Sequence, residues 1–235
     1  MIVAANFKTN LTRKKTLEYM NSLEIFLDEN SISTEVLVFP ATSSLNLHVG
    51  RATLGSQNAY PAYNGAYTGE IGQEQLEEFG IKTILIGHSE RRHVLGEKQE
   101  EIVKKFNFYK DAGFKIVYCV GEPLDIRKAG DEPMMQYISS QYEGIDTEYE
   151  NLVIAYEPVW AIGTGLVPTD EDIKSMHKAL KEKSQAPLLY GGSVKINNVQ
   201  GILSLENVDG VLVGGASLIV KDFCKMCEYA HELNN

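Results

Sequence analysis

Three cysteines in 235 residues, Cys119, Cys224 and Cys227, are too few to frame a chain of this length with disulfides. Membrane-spanning runs are missing as well, since no stretch approaches the roughly 20 apolar residues a span needs. The N-terminus, MIVAANFKTN, has no basic region and too short an apolar run for a signal peptide. Together these absences predict a soluble protein of a reducing cytoplasm. Positive charge is in deficit: 22 Lys and Arg stand against 32 Asp and Glu, for a net charge of −10 and a pI of about 5.0. That balance argues against nucleic acid and anionic membranes as partners, while a small anion can still be held by a local positive field. No Ser/Pro-rich or charge-rich linker interrupts the chain, so one domain over residues 1–235 is expected. What is plentiful is apolar side chain, 43% of residues, enough for one large core or two small ones.

Strand-like apolar runs recur at 2–7, 35–39, 53–57, 83–86, 115–119, 152–156, 187–190 and 210–213. Helix-like segments lie between them. Segment 13–28 carries Leu17, Met20, Leu23 and Leu27 at helical spacing, and 97–112 carries Ile102, Val103, Phe106 and Tyr109. Thr169 stands as an N-cap before 170–183, with Asp172 three residues on, and 217–232 closes the chain. Eight strand runs alternating with helices predict a parallel sheet, and the length fits a (β/α)8 barrel. A doubly wound open sheet is compatible with the same pattern.

The chemistry-bearing residues cluster where strand runs end. The sixth run stops at Glu157 because Pro158 cannot continue a strand. Pro158, Val159, Trp160, Ala161, Ile162, Gly163, Thr164 and Gly165 then form an apolar flap with glycines at its far side. A lone carboxylate under such a flap reads as a base whose proton affinity is kept up by its apolar shelter. The flap would exclude water from a carbanion-like product. Asn6 and Lys8 are two apart at the end of the first run, so both can face a barrel mouth. Lys8 offers a compact positive charge for an anionic substrate or a developing oxyanion. His88 falls between the fourth strand and a short helix, whose N-terminus disfavours the imidazolium. A neutral His88 could donate a hydrogen bond to a substrate oxygen. The turns Gly191-Gly192-Ser193 and Gly214-Gly215-Ala216 follow the last two runs, where barrels often build phosphate sites from backbone N–H groups. Cys119 reads as packing, Cys224 and Cys227 as one buried helix face, and Arg91, Arg92 and Arg127 as ion-pairing or solvated. His48, His93, His177 and His231 carry no functional reading. Tyr60, Tyr63 and Tyr67 make the loop 57–70, QNAYPAYNGAYTGE, as suited to an interface as to self-packing.

NFKTN (6–10), NGAYTGE (64–70), IGHSERR (86–92), YCVGE (118–122), AYEPVWAIGTG (155–165), YGGSV (190–194) and LVGGASL (212–218) together resemble the triosephosphate isomerase family, in family order along the whole chain. The resemblance implies a (β/α)8 TIM barrel, a homodimer through loop 57–70, and no cofactor or metal. It implies the interconversion of dihydroxyacetone phosphate and glyceraldehyde 3-phosphate, in glycolysis and gluconeogenesis. By matching motif, Glu157 is the base, His88 the neutral electrophile, Asn6 and Lys8 bind substrate, and Glu90 supports the site. Gly163, Ser193, Gly214 and Gly215 contact the phosphate. The chain departs from the family at Phe7 and Thr9, at Leu166-Val167-Pro168 after the flap, and in a trimmed segment 41–54. Other barrel chemistries fit less well. No lysine stands at a later strand end for a Schiff-base aldolase, and His88 stands alone where a metal-dependent epimerase needs several ligands. A phosphate-binding scaffold would require neither Glu157 nor His88.

Overall fold

A computed structural model describes residues 1–162 and 166–234. Eight parallel strands run β1 (Ile2–Asn6), β2 (Glu35–Phe39), β3 (Thr53–Leu54), β4 (Thr83–Ile86), β5 (Lys115–Val120), β6 (Leu152–Tyr156), β7 (Leu188–Tyr190) and β8 (Gly210–Val213). The helices are α1 (Arg13–Glu29), α2 (Gln73–Glu78), α3 (Ser89–His93), α4 (Gln99–Asp111), α5 (Leu124–Lys128), α6 (Asp131–Ser140), α7 (Asp170–Lys181), α8 (Val199–Leu203) and α9 (Val220–Leu233). The sheet order is β3-β2-β1-β8-β7-β6-β5-β4, and its two ends meet through a parallel bridge between Ser56 and Ile84. The fold is therefore a (β/α)8 barrel, not an open sheet. Among the described residues no helix is long and apolar enough to cross a membrane.

Strand alternation sorts the core into two layers. Ile2, Ala4, Leu37, Phe39, Leu85, Val117, Cys119, Val153, Ala155, Leu189 and Leu212 fill the barrel lumen. Their neighbours in sequence, such as Val3, Val38, Ile116 and Ile154, pack outward against the helices. Asn6 continues the parity of Ala4, and Glu157 that of Val153 and Ala155, so both face the mouth at the C-terminal ends of the strands.

The ends of elements differ from the sequence reading in instructive ways. β3 stops at Leu54, because Gly55 packs against the Phe39 ring and Ser56 makes the closing bridge to β4 instead. The segment read as one helix over 217–232 is a 3₁₀ turn at Gly215–Leu218 followed by α9. On α1 the buried stripe is Thr16, Tyr19, Met20, Leu23 and Leu27, while Leu17 is exposed. Thr169 caps α7 as expected: its hydroxyl accepts the Asp172 amide at 3.1 Å and Asp172 accepts the Thr169 amide at 2.9 Å. Between β2 and β3 there is only a 3₁₀ turn, Thr42–Ser44. Arg13 donates to Asn46 in the rest of that connection (2.8 Å), and its end is clasped by Glu24, which accepts from the Arg51 amide (2.7 Å) and the Ala52 amide (3.0 Å) and pairs with His48 Nε2 (2.9 Å).

Candidate active site

A cavity of about 320 Å³ opens at the C-terminal mouth of the barrel. That is at the small end of the range of small-molecule sites, roughly 300–1,000 Å³. Asn6, Lys8, His88, Glu157, Ile162, Ser193, Gly214 and Gly215 all line it. Residues from five different strand ends, spread over 210 positions of sequence, thus meet in one place.

Glu157 follows β6 directly and is 2% exposed. Its amide donates to the Val120 carbonyl at 2.8 Å, fixing the strand end beside β5. Gly121 is required there, because a Cβ on it would lie 1.7 Å from the Glu157 carbonyl oxygen. The carboxylate is fully engaged. Oε2 accepts the Ser89 amide at 2.8 Å, Oε1 accepts the Ser89 hydroxyl at 3.3 Å, and His88 Nε2 stands 2.9 Å from Oε1. Burial raises the pKa of a carboxyl, but His88, the Ser89 amide and the more distant Lys8 hold Glu157 below the usual carboxylate range. The apolar shelter expected to keep its proton affinity up is thus overridden by these contacts.

His88 is the N-cap of α3, as its place in the sequence predicts. Its Nδ1 accepts the Glu90 amide at 3.2 Å. A nitrogen that accepts from an amide carries no proton, so this is the Nε2–H tautomer, and the N–H points at Glu157. Burial lowers the His88 pKa, but the charge and hydrogen bond of Glu157, with Glu90 beyond, raise it above its ordinary value. The depression expected from the helix start is reversed by the carboxylate at 2.9 Å.

Lys8 adopts the left-handed backbone conformation at φ 51°, stabilised by its amide donating to Asn6 Oδ1 at 3.0 Å and by Gln57 donating to its carbonyl at 2.8 Å. That kink carries the ammonium toward the eighth strand's turn, where a Cβ on Gly214 would lie 3.8 Å from Nζ. Lys8 Nζ donates to Glu90 Oε1 at 2.5 Å. Glu90 does not line the cavity; it holds Lys8, and its amide holds His88.

The first part of the flap is a 3₁₀ turn, Val159–Ala161, with Ile162 at the cavity wall. Gly163, Thr164 and Gly165 lie outside the described residues. Behind the turn is a carboxylate that sequence reading left without a role. Glu122 is fully buried and its Oε1 accepts from Tyr156 OH (3.0 Å) and Trp160 Nε1 (2.9 Å). Arg127 lies 3.6 Å away, stacks 5.3 Å over the Trp160 ring and donates to Asp172 at 2.5 Å. Burial pushes the Glu122 carboxyl up, despite those donors. The available signal was its position, a carboxylate at a strand end beside an apolar run. Ser89, which directly follows His88, has no role in the sequence reading, yet it binds both oxygens of Glu157. Cys119 is in the lumen with its thiol pushed well above the ordinary range by burial, which makes it inert packing.

A sequence model of the family described as Triosephosphate isomerase matches residues 1–230. A curated Triosephosphate isomerase of Sulfurimonas denitrificans is 67% identical over 234 residues, covering 100% of this chain and 98% of that protein. One of a Sulfurovum species is 54% identical over 96% of this chain and 99% of its own length. Another, of Wolinella succinogenes, is 52% identical over 97% and 99%. The chain belongs to the triosephosphate isomerase family and is an isomerase.

Proposed function

We propose that the cavity residues carry the reaction of this family, the reversible interconversion of dihydroxyacetone phosphate and D-glyceraldehyde 3-phosphate. Glu157 takes the proton from the carbon beside the carbonyl. His88 Nε2–H donates to the carbonyl oxygen as it becomes an enediolate, and the Lys8 ammonium stabilises the same charge. Glu157 then returns the proton to the neighbouring carbon. Asn6 and Lys8 bind the substrate. The amides at Ser193, Gly214 and Gly215 hold the phosphate, with Gly163 completing the set as the flap Pro158–Gly165 covers the site. No cofactor or metal enters any step.

The observation that carries this reading is the convergence of Asn6, Lys8, His88 and Glu157 with two glycine turns on one cavity. The hydrogen bonds supply its logic. Glu157 cannot act as a base while Ser89 and His88 occupy its oxygens. Moving toward substrate frees the carboxylate and the His88 N–H at once. It also removes the contacts that depress Glu157, leaving burial to raise its proton affinity. His88 loses the carboxylate that raises its pKa and keeps the Glu90 amide on Nδ1, so it stays neutral. A coupled assay with glyceraldehyde 3-phosphate tests the proposal: the protein is expected to turn it over, and inactivity at a catalytic protein concentration would refute it.

The working form is a cytoplasmic homodimer joined through loop 57–70. Supporting this, Tyr63 and Tyr67 are half exposed, Tyr67 stacks on Tyr60 with ring centres 4.1 Å apart, and Gln57 ties the loop's start to Lys8. Sedimentation should give a dimer, and Tyr67→Asp a monomer of much reduced activity. A fully active monomer would exclude the loop from this role.

A further inference from the structure

The charges around the cavity raise a question the reaction scheme does not answer. The chain is strongly acidic, at −10, yet the substrate read for it is a dianion. Lys8, the cation nearest the reacting groups, is locked to Glu90 at 2.5 Å, and that pair cancels at a distance. Glu157 adds a negative charge on the wall. His88 is the neutral tautomer. With these groups alone, an approaching phosphate would meet a net negative mouth.

One further charged side chain lines the cavity: Lys195, two residues past Ser193 on the turn after β7, a lysine beyond a later strand end that the sequence reading does not place at the site. It is exposed, and among the described residues no carboxylate lies within ion-pairing distance of it. Its position is built. The Lys195 amide donates to Asn198 Oδ1 at 2.7 Å, and Asn198 Nδ2 donates to the Ser193 carbonyl at 2.9 Å. Asn198 thereby fixes the lysine relative to the Ser193 amide and to the glycine turn that opens this segment. Being unpaired, Lys195 keeps its full field in solvent, as Lys8 does not.

We propose that Lys195 is the cation that draws the phosphate dianion into the cavity, setting the rate of capture rather than the chemistry. The inference rests on the triose phosphate reading of the site. Across a cavity of this size the separation is on the order of 8 Å. A unit charge at that distance from a dianion in water changes encounter about three- to fivefold at ~0.01 M ionic strength, and much less at ~0.5 M.

The test measures kcat and KM for Lys195→Gln, Lys195→Glu and Lys195→Arg across ionic strength, together with the Kd of inorganic phosphate by calorimetry. Lys195→Gln should lower kcat/KM about three- to fivefold at low salt with kcat unchanged, and the deficit should vanish at high salt. Lys195→Glu should lose about tenfold or more, and Lys195→Arg should behave as wild type. The phosphate Kd should rise in the same order. Equal kcat/KM and equal phosphate Kd for wild type and Lys195→Gln at low salt would overturn the inference, and so would a loss that does not respond to salt. A wild-type protein that binds phosphate in this charge-dependent way without isomerising would sink the reaction proposed above and leave the role of Lys195 standing.

Discussion

Two buried carboxylates at neighbouring strand ends, Glu122 and Glu157, are held in opposite protonation tendencies by their immediate partners. Burial acts on both. At Glu157 a histidine N–H and a backbone amide at 2.8 Å outweigh it. At Glu122 the donors crowd onto Oε1, and Oε2 has no hydrogen-bond partner among the described residues, so burial prevails. The first is therefore ready to leave its contacts as an anion, whereas the second is a fixed acceptor for the flap. For Glu157 in its proposed role as base, reach matters more than acidity. Glu157→Asp retracts the carboxylate by about one bond length, and a misplacement of that size can cost on the order of 10²-fold. Steady-state kinetics should show the loss in kcat with KM little changed. Wild-type kcat in this variant would remove Glu157 from the role of base.

The strand ends and the 3₁₀ turn Val159–Ala161 set which residues meet. Trp160 is the only tryptophan of the chain, so its fluorescence reports the flap alone. In this state its indole N–H is bound to Glu122 and its ring is stacked under Arg127. If the flap closes over an anion as proposed, those contacts are disturbed, and saturating inorganic phosphate should shift the emission of wild type. In Glu122→Gln the starting spectrum should already be displaced and the phosphate-dependent shift reduced. An emission blind to phosphate in wild type would detach the flap from ligand binding. Much of this arrangement was readable in the chain. Period-two alternation placed Asn6 and Lys8 at the mouth, and Pro158 marked where β6 must stop at Glu157; Asn6 arrives by that alternation, whereas Lys8 lies past the end of β1 and arrives through a left-handed turn. Barrel closure was not readable, since it rests on a single bridge between Ser56 and Ile84 beyond a two-residue strand. Nor was the protonation of His88, which depends on a carboxylate 69 positions away rather than on its own helix. Local sequence reports the helix N-terminus but carries nothing about the residue that folds against it. The Glu24 clasp on the 48–52 segment is of the same kind, a long-range pairing that substitutes for a helix.

At the scale of the molecule, a buried imidazole links stability to pH. His177 on α7 is fully buried, with ring centres 5.9 Å from Tyr156 and 6.2 Å from Tyr190. Nδ1 bonds the Asn207 carbonyl at 2.8 Å and Nε2 has no partner among the described residues. Burial depresses its pKa to about 4. The unfolded chain would bind this proton near pH 6.5, so stability is full above that value and falls as pH drops from 6.5 toward 4. The loss between pH 7 and pH 4.5 is about 2–3 kcal/mol, a large share of a typical 5–15 kcal/mol. Urea unfolding at fixed protein concentration should show that decline, and His177→Phe should show a decline smaller by the same amount. Identical pH profiles would contradict the linkage. The central claim, that Glu157 moves the proton, is tested most directly by turnover in deuterium oxide followed by NMR. Wild type should convert glyceraldehyde 3-phosphate and place solvent deuterium on the newly protonated carbon. Glu157→Gln, still binding phosphate, should neither isomerise nor exchange above the buffer background. Exchange at the wild-type rate in Glu157→Gln would contradict the account.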